Sequence, residues 1–508
     1  MTLRRAIALL ASLLALADAG QASAAWSHAS AGSASGKALQ MPAGSQPTAT
    51  VSNRSVTVSW TASTLRGQGV SGYLVKRYDA AGNLQTIGSG CSGTVSGLSC
   101  TEAAVPAGTW RYSVTPKQAG WVGSESQPSS AVTVQAPSLT ISSPTTLTSL
   151  PQTLSGSIAG FVGGQTVSFR LDDPSTGTPL SGSISPSPVP ASGGASASVT
   201  IPAGTANGAH TVYAIGSAGD VASAQITVNR PQVTSSVIAR AGGYDGGYVK
   251  QGGTYYVYAN VSGTGSPPAG LASLTADVSA LTTGQSAAAL GYGSYSVGDQ
   301  TYNYRSAQLT ANATLSEGSK SYTLKLTDTA GSQTQSGYTV TVDNTQPRAS
   351  DVQTANASGG TNGKAEAGDS ITLTYSEPID PASILTGWDG GPVSVVVRLV
   401  NGGLASDSVT VWNSANTAQL PLGTVVLNRT DYISFISTIT FGTSGTPSTM
   451  TRDGSGITIT LGTPSATAST ASGTGTMSWT PSSTATDRAG NAALTTSATE
   501  SGAADKDF

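Results

Sequence analysis

The chain has 508 residues, more than one hydrophobic core organises, so we expect several domains. Charged residues make up only 10 % of it and the net charge is −3, with no basic cluster beyond the first residues. This pattern excludes the electrostatic footprint of a nucleic-acid-binding protein. The abundance of Thr, Ser, Gly and Val over helix formers predicts an all-β fold.

The first 24 residues have the pattern of a secretory signal peptide. Two arginines precede an apolar run at residues 6–17, and a small-x-small site follows at Ala22-Ser23-Ala24. We predict cleavage between Ala24 and Ala25, with the mature protein secreted or extracellular, in the medium or associated with the cell surface. The alternative is an uncleaved anchor, but a membrane span needs about 20 apolar residues. No later segment has that length, so we expect no membrane span in the mature chain.

Residues 25–44 are rich in Ser, Ala and Gly without strand periodicity, and we expect a flexible leader. Further along, three segments with apolar residues at every second position end just before Pro137, Pro231 and Pro347. These prolines lie about 95–115 residues apart, the size of one β-sandwich. We therefore predict four domains, called modules one to four: residues 45–136, 137–232, 233–346 and 347–508. The last includes insertions and a short C-terminal tail.

Module one resembles a fibronectin type III domain of the kind found in bacterial secreted proteins. The resemblance rests on Trp60 in SVTVSWTAS, Tyr73 in GYLVKRYD and Tyr112 in GTWRYSVTP, followed by the closing strand AVTV. It implies that these three aromatic residues belong to the structural core. It also implies that the Tyr112 hydroxyl bonds back to the chain near the corner of a late strand.

Module one also holds the only two cysteines of the chain, Cys91 and Cys100. In an exported chain with an even number of cysteines, a disulfide bond is the expected state. Two free thiols are the alternative.

Modules two to four resemble the immunoglobulin-like modules of bacterial surface and adhesion proteins. In module two, six short alternating runs from SLTISSP to AQITV are separated by turn residues, and module four contains GDSITLTYSEPIDPAS. The resemblance implies tandem immunoglobulin-like β-sandwiches. Because module four is long for this class, we expect insertions or extra strands between Trp388 and Arg452.

A short turn motif recurs at Asp79, Asp328 and Asp487, each followed three residues later by Gly. We predict hairpin turns in which Asp caps the turn and Gly takes a positive φ. Calcium binding is the alternative, but one carboxylate per turn falls far short of the six to eight oxygens that Ca²⁺ usually takes. We therefore expect no metal site at these turns.

The sequence offers little material for catalysis. Its two histidines, His28 and His210, lie in the leader and in a strand-like run, so they cannot form a zinc site or a nucleophile–base pair. In module four the pair of carboxylates Glu377 and Asp380, three residues apart, raises the alternative of a glycosidase, which needs two carboxylates. With Pro378 between them, we favour a capping role. We expect no enzyme, no catalytic residues and no cofactor.

Two aromatic clusters could form sugar-binding platforms. In TYYVYANV, period-two alternation places Tyr256 and Tyr258 on one face and Tyr255 with Val257 on the other, so at least one pair is core. We therefore favour packing over sugar binding for these clusters. The clusters comprise Tyr244, Tyr248, Tyr255, Tyr256 and Tyr258 in module three, and Trp388, Trp412 and Trp479 in module four.

The sequence therefore predicts a secreted, non-enzymatic, multidomain structural or adhesive protein of the bacterial cell surface or medium. Its expected partners are cell-surface proteins or polysaccharide. The alternative is a polysaccharide-binding accessory protein associated with an extracellular hydrolase.

Overall fold

A computed structural model describes residues 39–508; the predicted cleavage site at Ala24 and Ala25 and most of the leader lie outside this range. The described chain consists of β-strands and loops, with a single four-residue helix, so the predicted all-β fold is confirmed. No helix in this range is long and apolar enough to cross a membrane. Two compact units are present, one of residues up to 51, 55–105 and 109–133, the other of residues 52–54, 106–108 and 134–508.

Module one is a two-sheet sandwich whose strands alternate buried and exposed residues. Strands β1, β2 and β8 form one sheet; β10, β9, β5 and β6 form the other, with β7 on β5 and β11 on β9. The strands are β1 (Thr48–Ser52), β2 (Ser55–Ser59), β3 (Thr64–Leu65), β4 (Gln68–Gly69), β5 (Gly72–Tyr78), β6 (Leu84–Gln85), β7 (Thr94–Val95), β8 (Ser99–Glu102), β9 (Gly108–Gln118), β10 (Trp121–Val122) and β11 (Val132–Val134).

Module two contains eight strands, in the order β12-β14-β17-β16-β15-β18-β19-β13. The long strand β16 pairs with both β15 and β17, and β13 runs parallel to β19. Two of the eight lie outside the six runs expected from the sequence: β13, which has only two residues, and β16, which is rich in Ser, Thr, Gly and Pro. The strands are β12 (Ser138–Ile141), β13 (Thr146–Leu147), β14 (Gln152–Ala159), β15 (Val167–Leu171), β16 (Thr178–Ser185), β17 (Ala195–Ile201), β18 (Gly208–Gly216) and β19 (Val221–Val228).

Module three repeats this plan with nine strands, and again a short strand, β21, runs parallel to the last one, β28. Strands β27 and β28 form a long hairpin closed at Asp328 and Gly331. The strands are β20 (Gln232–Arg240), β21 (Tyr248–Val249), β22 (Thr254–Ser262), β23 (Leu271–Asp277), β24 (Ala288–Val297), β25 (Gln300–Ser306), β26 (Leu309–Thr310), β27 (Gly318–Asp328) and β28 (Gly331–Val342).

Module four has ten strands and the short helix, and five of its strands lie in the stretch where insertions or extra strands were expected. The first of those five, β31, pairs with three others, β32, β34 and β35. The elements are β29 (Ala349–Ala355), β30 (Ser370–Tyr375), α1 (Pro381–Ile384), β31 (Val393–Val400), β32 (Ser408–Asn413), β33 (Thr424–Val426), β34 (Thr438–Phe441), β35 (Ser448–Asp453), β36 (Gly456–Thr460), β37 (Ser478–Thr480) and β38 (Ala498–Thr499).

The buried apolar side chains of modules two, three and four form separate clusters. These lie within residues 139–228, 233–342 and 349–508. Each module therefore has a hydrophobic core of its own, as an independent sandwich requires. The exact four-module division of the chain stays a prediction.

The three Asp-led motifs form turns, as predicted. The glycines Gly82, Gly331 and Gly490 all have positive φ, at 87°, 122° and 92°. In the first and third turns the Asp carboxylate accepts backbone N–H groups of the same turn, including those of Asn83 and Asn491. These short local bonds explain why Asp begins each turn.

Candidate functional site

The residues that resemble the fibronectin type III pattern lie in the core of module one. Trp60, Tyr73 and Tyr112 are all buried, and the Trp60 and Tyr73 rings meet edge to face at 5.3 Å. The Tyr73 hydroxyl accepts the backbone N–H of Ser63 at 2.8 Å. The tyrosine that bonds back to the backbone is therefore Tyr73.

For Tyr112 the expected bond to the chain was wrong. Its hydroxyl donates to a side chain, Glu102 Oε2, at 2.8 Å, because Glu102 at the end of β8 points into the core beside it. Burial, then the Glu102 charge, raises the pKa of Tyr112. The other carboxylate oxygen of Glu102 pairs with Arg77 Nη1 at 2.6 Å.

The pair of Arg77 and Glu102 was not predicted from the sequence, although a signal was present. In β8 the buried positions are Cys100 and Glu102, and in β5 Arg77 follows Tyr73 and Val75 at alternate buried positions. Strand alternation alone therefore places both charges on the core face.

Cys91 and Cys100 form a disulfide bond, with 5.3 Å between their Cα atoms. Both cysteines are buried. The bond attaches the loop after β6 to strand β8.

The principal candidate site is the junction between modules three and four, where an ion pair joins Arg240 at the end of β20 to Asp380. The shortest distance is 2.7 Å, from Arg240 Nη2 to Asp380 Oδ2. Asp380 also accepts the backbone N–H groups of Tyr244, at 3.1 Å, and of Ala382, at 2.9 Å, the latter as the N-cap of α1. Burial raises the pKa of Asp380 by more than Arg240 lowers it. Asp380 thus has a capping role, as expected, but it caps the short helix α1 rather than a strand end or a loop, and it also forms the ion pair of the junction.

Further polar contacts surround this pair. Arg452 Nη1 lies 2.8 Å from Asp245 Oδ2 and donates to the carbonyl of Ile379 at 2.8 Å. Lys250 Nζ donates to the Gly490 carbonyl at 2.5 Å. The ion pair of Arg240 and Asp380 is therefore supported by a second ion pair and by this hydrogen bond. The junction is built from charged and polar groups rather than from an apolar patch.

The turn at Asp487 belongs to the same junction. Asn491 Nδ2 donates to the carbonyl of Asp343 at the end of module three, at 2.8 Å, while Arg488 lies 3.9 Å from the centre of the Tyr248 ring. At this position the recurrent turn therefore reverses the chain and also contacts module three.

Three carboxylates meet beside this turn: Asp343, Glu377 and Asp487. One oxygen of each lies within 4.8 Å of the others. Burial, then Asp343 and Asp487, raises the pKa of Glu377 to about 7. The expectation that each turn offers only one carboxylate is therefore wrong at this turn, because Asp343 and Asp487, 144 positions apart in the chain, come together. The trio could take part in holding a divalent cation, but both Asp487 oxygens already accept hydrogen bonds from Asn491.

The aromatic clusters divide between core and surface. Trp388 and Trp479 are buried, Tyr255 lies in the main core of module three, and Tyr244 and Tyr248 are half-buried at the junction, so packing accounts for most of these residues. Trp412 is half-buried, with the Arg398 guanidinium 3.4 Å from its ring centre.

The opposite face of β22 carries a second group, which we call the tyrosine–arginine face. Tyr258 contacts three neighbouring rings at centroid distances of 5.7–6.4 Å. Arg305 lies between two of these rings, 4.4 Å from Tyr256 and 4.3 Å from Tyr295. Except for the buried Tyr258, its members are half-exposed. The face comprises Tyr256, Tyr258, Tyr295, Tyr302 and Arg305.

His210 lies on β18 and forms a pair that the sequence did not reveal. Its Nδ1 is 2.9 Å from Asp172 Oδ2, and its Nε2 is 2.9 Å from the carbonyl of Ala206. Burial lowers the pKa of His210, but the bonds to Asp172 and Ala206 outweigh it and the net pKa is raised. His210 and Asp172 thus join β18 to the loop that follows β15, consistent with a structural role.

No family model and no curated protein matches the sequence. Solved structures do. The Escherichia coli adhesin FdeC is 16 % identical, with 59 % of this chain and 96 % of that chain covered and a TM-score of 0.21. The three fibronectin domains of chicken CNTN1 are 10 % identical, with 59 % and 98 % covered and a TM-score of 0.17. A Bacteroides ovatus mixed-linkage glucan utilization protein, SGBP-B, is 14 % identical, with 85 % and 94 % covered and a TM-score of 0.15.

The architecture defines the class. The chain is an all-β protein of several sandwich modules.

Proposed function

We propose that the protein is a secreted, non-enzymatic structural or adhesive protein of the bacterial cell surface or extracellular medium. In this proposal modules three and four act as one stiff element that holds binding surfaces at a set distance. The observation that carries it is the junction between them, in which buried Asp380 is bound by Arg240.

The chemistry of the junction supports rigidity. As long as Asp380 stays buried, losing Arg240 would cost about 3–5 kcal/mol, so motions within the closed junction that part the two groups are disfavoured. The same geometry argues against a glycosidase pair, because Asp380 is already occupied as a cap and an ion-pair partner.

The substitution Asp380→Asn in the full chain tests the proposal. Asparagine keeps the side-chain oxygen for the cap but removes the charge that binds Arg240. We expect tryptic cleavage after Lys250, whose side chain is held by Gly490, to become at least about tenfold faster, since about 1.4 kcal/mol corresponds to a factor of ten. Digestion followed by mass spectrometry gives the rate.

Asp453→Asn is the matched control, because Asp453 is an exposed carboxylate in the β35–β36 turn of the same module. It should leave cleavage after Lys250 unchanged. Equal rates in Asp380→Asn and in the unmodified chain, with module four still folded, would argue against the stiff element.

A second candidate function, polysaccharide binding, is supported by the tyrosine–arginine face. Half-exposed rings around a guanidinium offer apolar surface for a sugar ring and donors for its hydroxyls. The face also has a structural use, because its rings pack over Ala239 and Val297.

Replacing Tyr295 by alanine should weaken retention on a polysaccharide that binds the unmodified chain by about fivefold or more, since one ring contact contributes about 1 kcal/mol or more. Co-sedimentation with insoluble cellulose, chitin and xylan measures it. Tyr292→Ala is the control, as Tyr292 is an exposed tyrosine of the same strand outside this face. Equal retention in the two variants, or no retention of the unmodified chain, would leave the structural role as the function.

A further inference from the structure

A second acidic cluster lies in module four, in the closing segment that follows β38. Glu500, Asp505 and Asp507 each place one carboxylate oxygen within 4.8 Å of the other two. The side chain of Asp505 is exposed, whereas Glu500 is 8 % and Asp507 0 % exposed. The cluster is therefore open to solvent on one side only.

The two buried carboxylates each have an oxygen without a hydrogen-bond partner. These atoms are Glu500 Oε1 and Asp507 Oδ1. The other Asp507 oxygen accepts the Tyr432 hydroxyl at 3.2 Å. A buried carboxylate oxygen without a donor is unfavourable, so two of them together need an explanation such as a proton or an ion.

The three carboxylates have no direct counter-charge among the residues that the structure describes, although Arg429 lies close enough to attract Asp507. Among residues 39–508, no Lys, Arg or His forms an ion pair with Glu500, Asp505 or Asp507, and nearby Arg429 is bound to Asp431 at 2.6 Å. Asp351 adds a further negative charge beside the cluster and accepts the backbone N–H of Ser501 at 2.8 Å.

We propose that Glu500, Asp505 and Asp507 form a Ca²⁺ site. Carboxylate oxygens are hard ligands, and an exposed side leaves room for the water molecules that complete the six to eight oxygens of a calcium shell. The cluster at Asp487 differs, since there both oxygens of the most buried carboxylate are already bonded to Asn491.

Calcium at this position would join distant parts of module four. Tyr432 also donates to the carbonyl of Asp507, and the next residue, Phe508, is held by Thr354 of β29 and by Gly363. The ion would therefore fasten the closing segment to two loops and an edge strand of the sheet.

Terbium luminescence tests the site, because Tb³⁺ replaces Ca²⁺ and Tyr432 lies close enough to sensitise it. In the full chain carrying Glu377→Gln, which disables the cluster at Asp487, we expect saturable Tb³⁺ emission that added Ca²⁺ displaces. Adding Glu500→Gln or Asp505→Asn should weaken the Tb³⁺ affinity at least about tenfold. Asp453→Asn should leave it unchanged. Because Asp505 is exposed, its variant keeps the fold even if the buried one does not.

Calorimetry of the full chain gives an independent result. Saturating Ca²⁺ should raise the melting temperature of module four by several degrees, and EDTA should remove that gain. The opposing explanation is a proton shared by Glu500 and Asp507, since burial, then Glu500, raises the pKa of Asp507 to about 7. That stability would be present at acidic pH and lost as the pH rises through about 7. The calcium site would be overturned if stability fell with pH in this way and Ca²⁺ had no effect on the melting temperature. It would also be overturned if the Tb³⁺ emission were equal in all variants.

Discussion

Replacing Glu102 by alanine is expected to lower the free energy of unfolding of module one by about 3–5 kcal/mol. The carboxylate is 1 % exposed and binds three groups: Arg77 at 2.6 Å, the Tyr112 hydroxyl at 2.8 Å and the backbone N–H of Gly88 at 2.6 Å. Without Glu102 the guanidinium of Arg77 stays buried with no counter-charge. Urea denaturation followed by tryptophan fluorescence measures the loss.

Two further variants separate the buried charge from the lost packing. Lys76 lies next to Arg77 on β5 and forms an exposed ion pair with Glu125. Lys76→Met removes that ion pair and should cost at most about 1 kcal/mol. The double variant Arg77→Met with Glu102→Leu should recover part of the stability, because it removes both charges at once, while the Tyr112 hydroxyl and the Gly88 N–H still lose their acceptor. If Glu102→Ala cost no more than Lys76→Met, the network would not be a support of module one.

Replacing Trp479 by alanine is expected to destabilise module four by about 3–5 kcal/mol. The indole is fully buried and meets the Tyr375 ring edge to face at 4.7 Å, and its Nε1 donates to the carbonyl of Leu422 at 2.7 Å. Alanine would leave a cavity at this position. Scanning calorimetry measures the loss without relying on the removed fluorophore.

Trp479→Phe should cost about 1–3 kcal/mol, since a smaller aromatic ring still fills part of the site but the Leu422 carbonyl loses its donor. Trp412→Ala is the control: Trp412 is half-buried, pairs with Arg398 and lies on the same module, so its loss should be smaller. Equal losses at positions 412 and 479 would contradict the assignment of Trp479 to the core.

Period-two alternation predicted the faces of individual strands well. In β22 it placed Tyr255 with Val257, and both lie in the core of module three. The opposite face, with Tyr256 and Tyr258, proved to be a second small cluster rather than bare surface, because side chains from β20, β24 and β25 cover it in part. Which neighbours cover an outer face depends on strand pairing, which one strand's sequence does not contain.

The partners of polar groups were the least predictable feature. The family resemblance placed Tyr112 in the core correctly but suggested a bond to the backbone, whereas a core-facing Glu102 supplies the acceptor. Similarly, Glu377 and Asp380 are three residues apart in the chain but have different partners: Glu377 lies beside Asp343 and Asp487, and Asp380 is bound to Arg240.

The sequence by itself determined the class of structure: an all-β chain, turns at the Asp-led motifs, and aromatic residues such as Trp60 in a core. These features follow from local rules, since alternation, turn residues and apolar content act over a few positions. Only the tertiary structure decided which charges meet, as at Arg240 with Asp380 or Glu500 with Asp507. Electrostatic contacts and ligand sites depend on distances between residues far apart in the chain, and those distances exist only once the sandwiches have folded and packed.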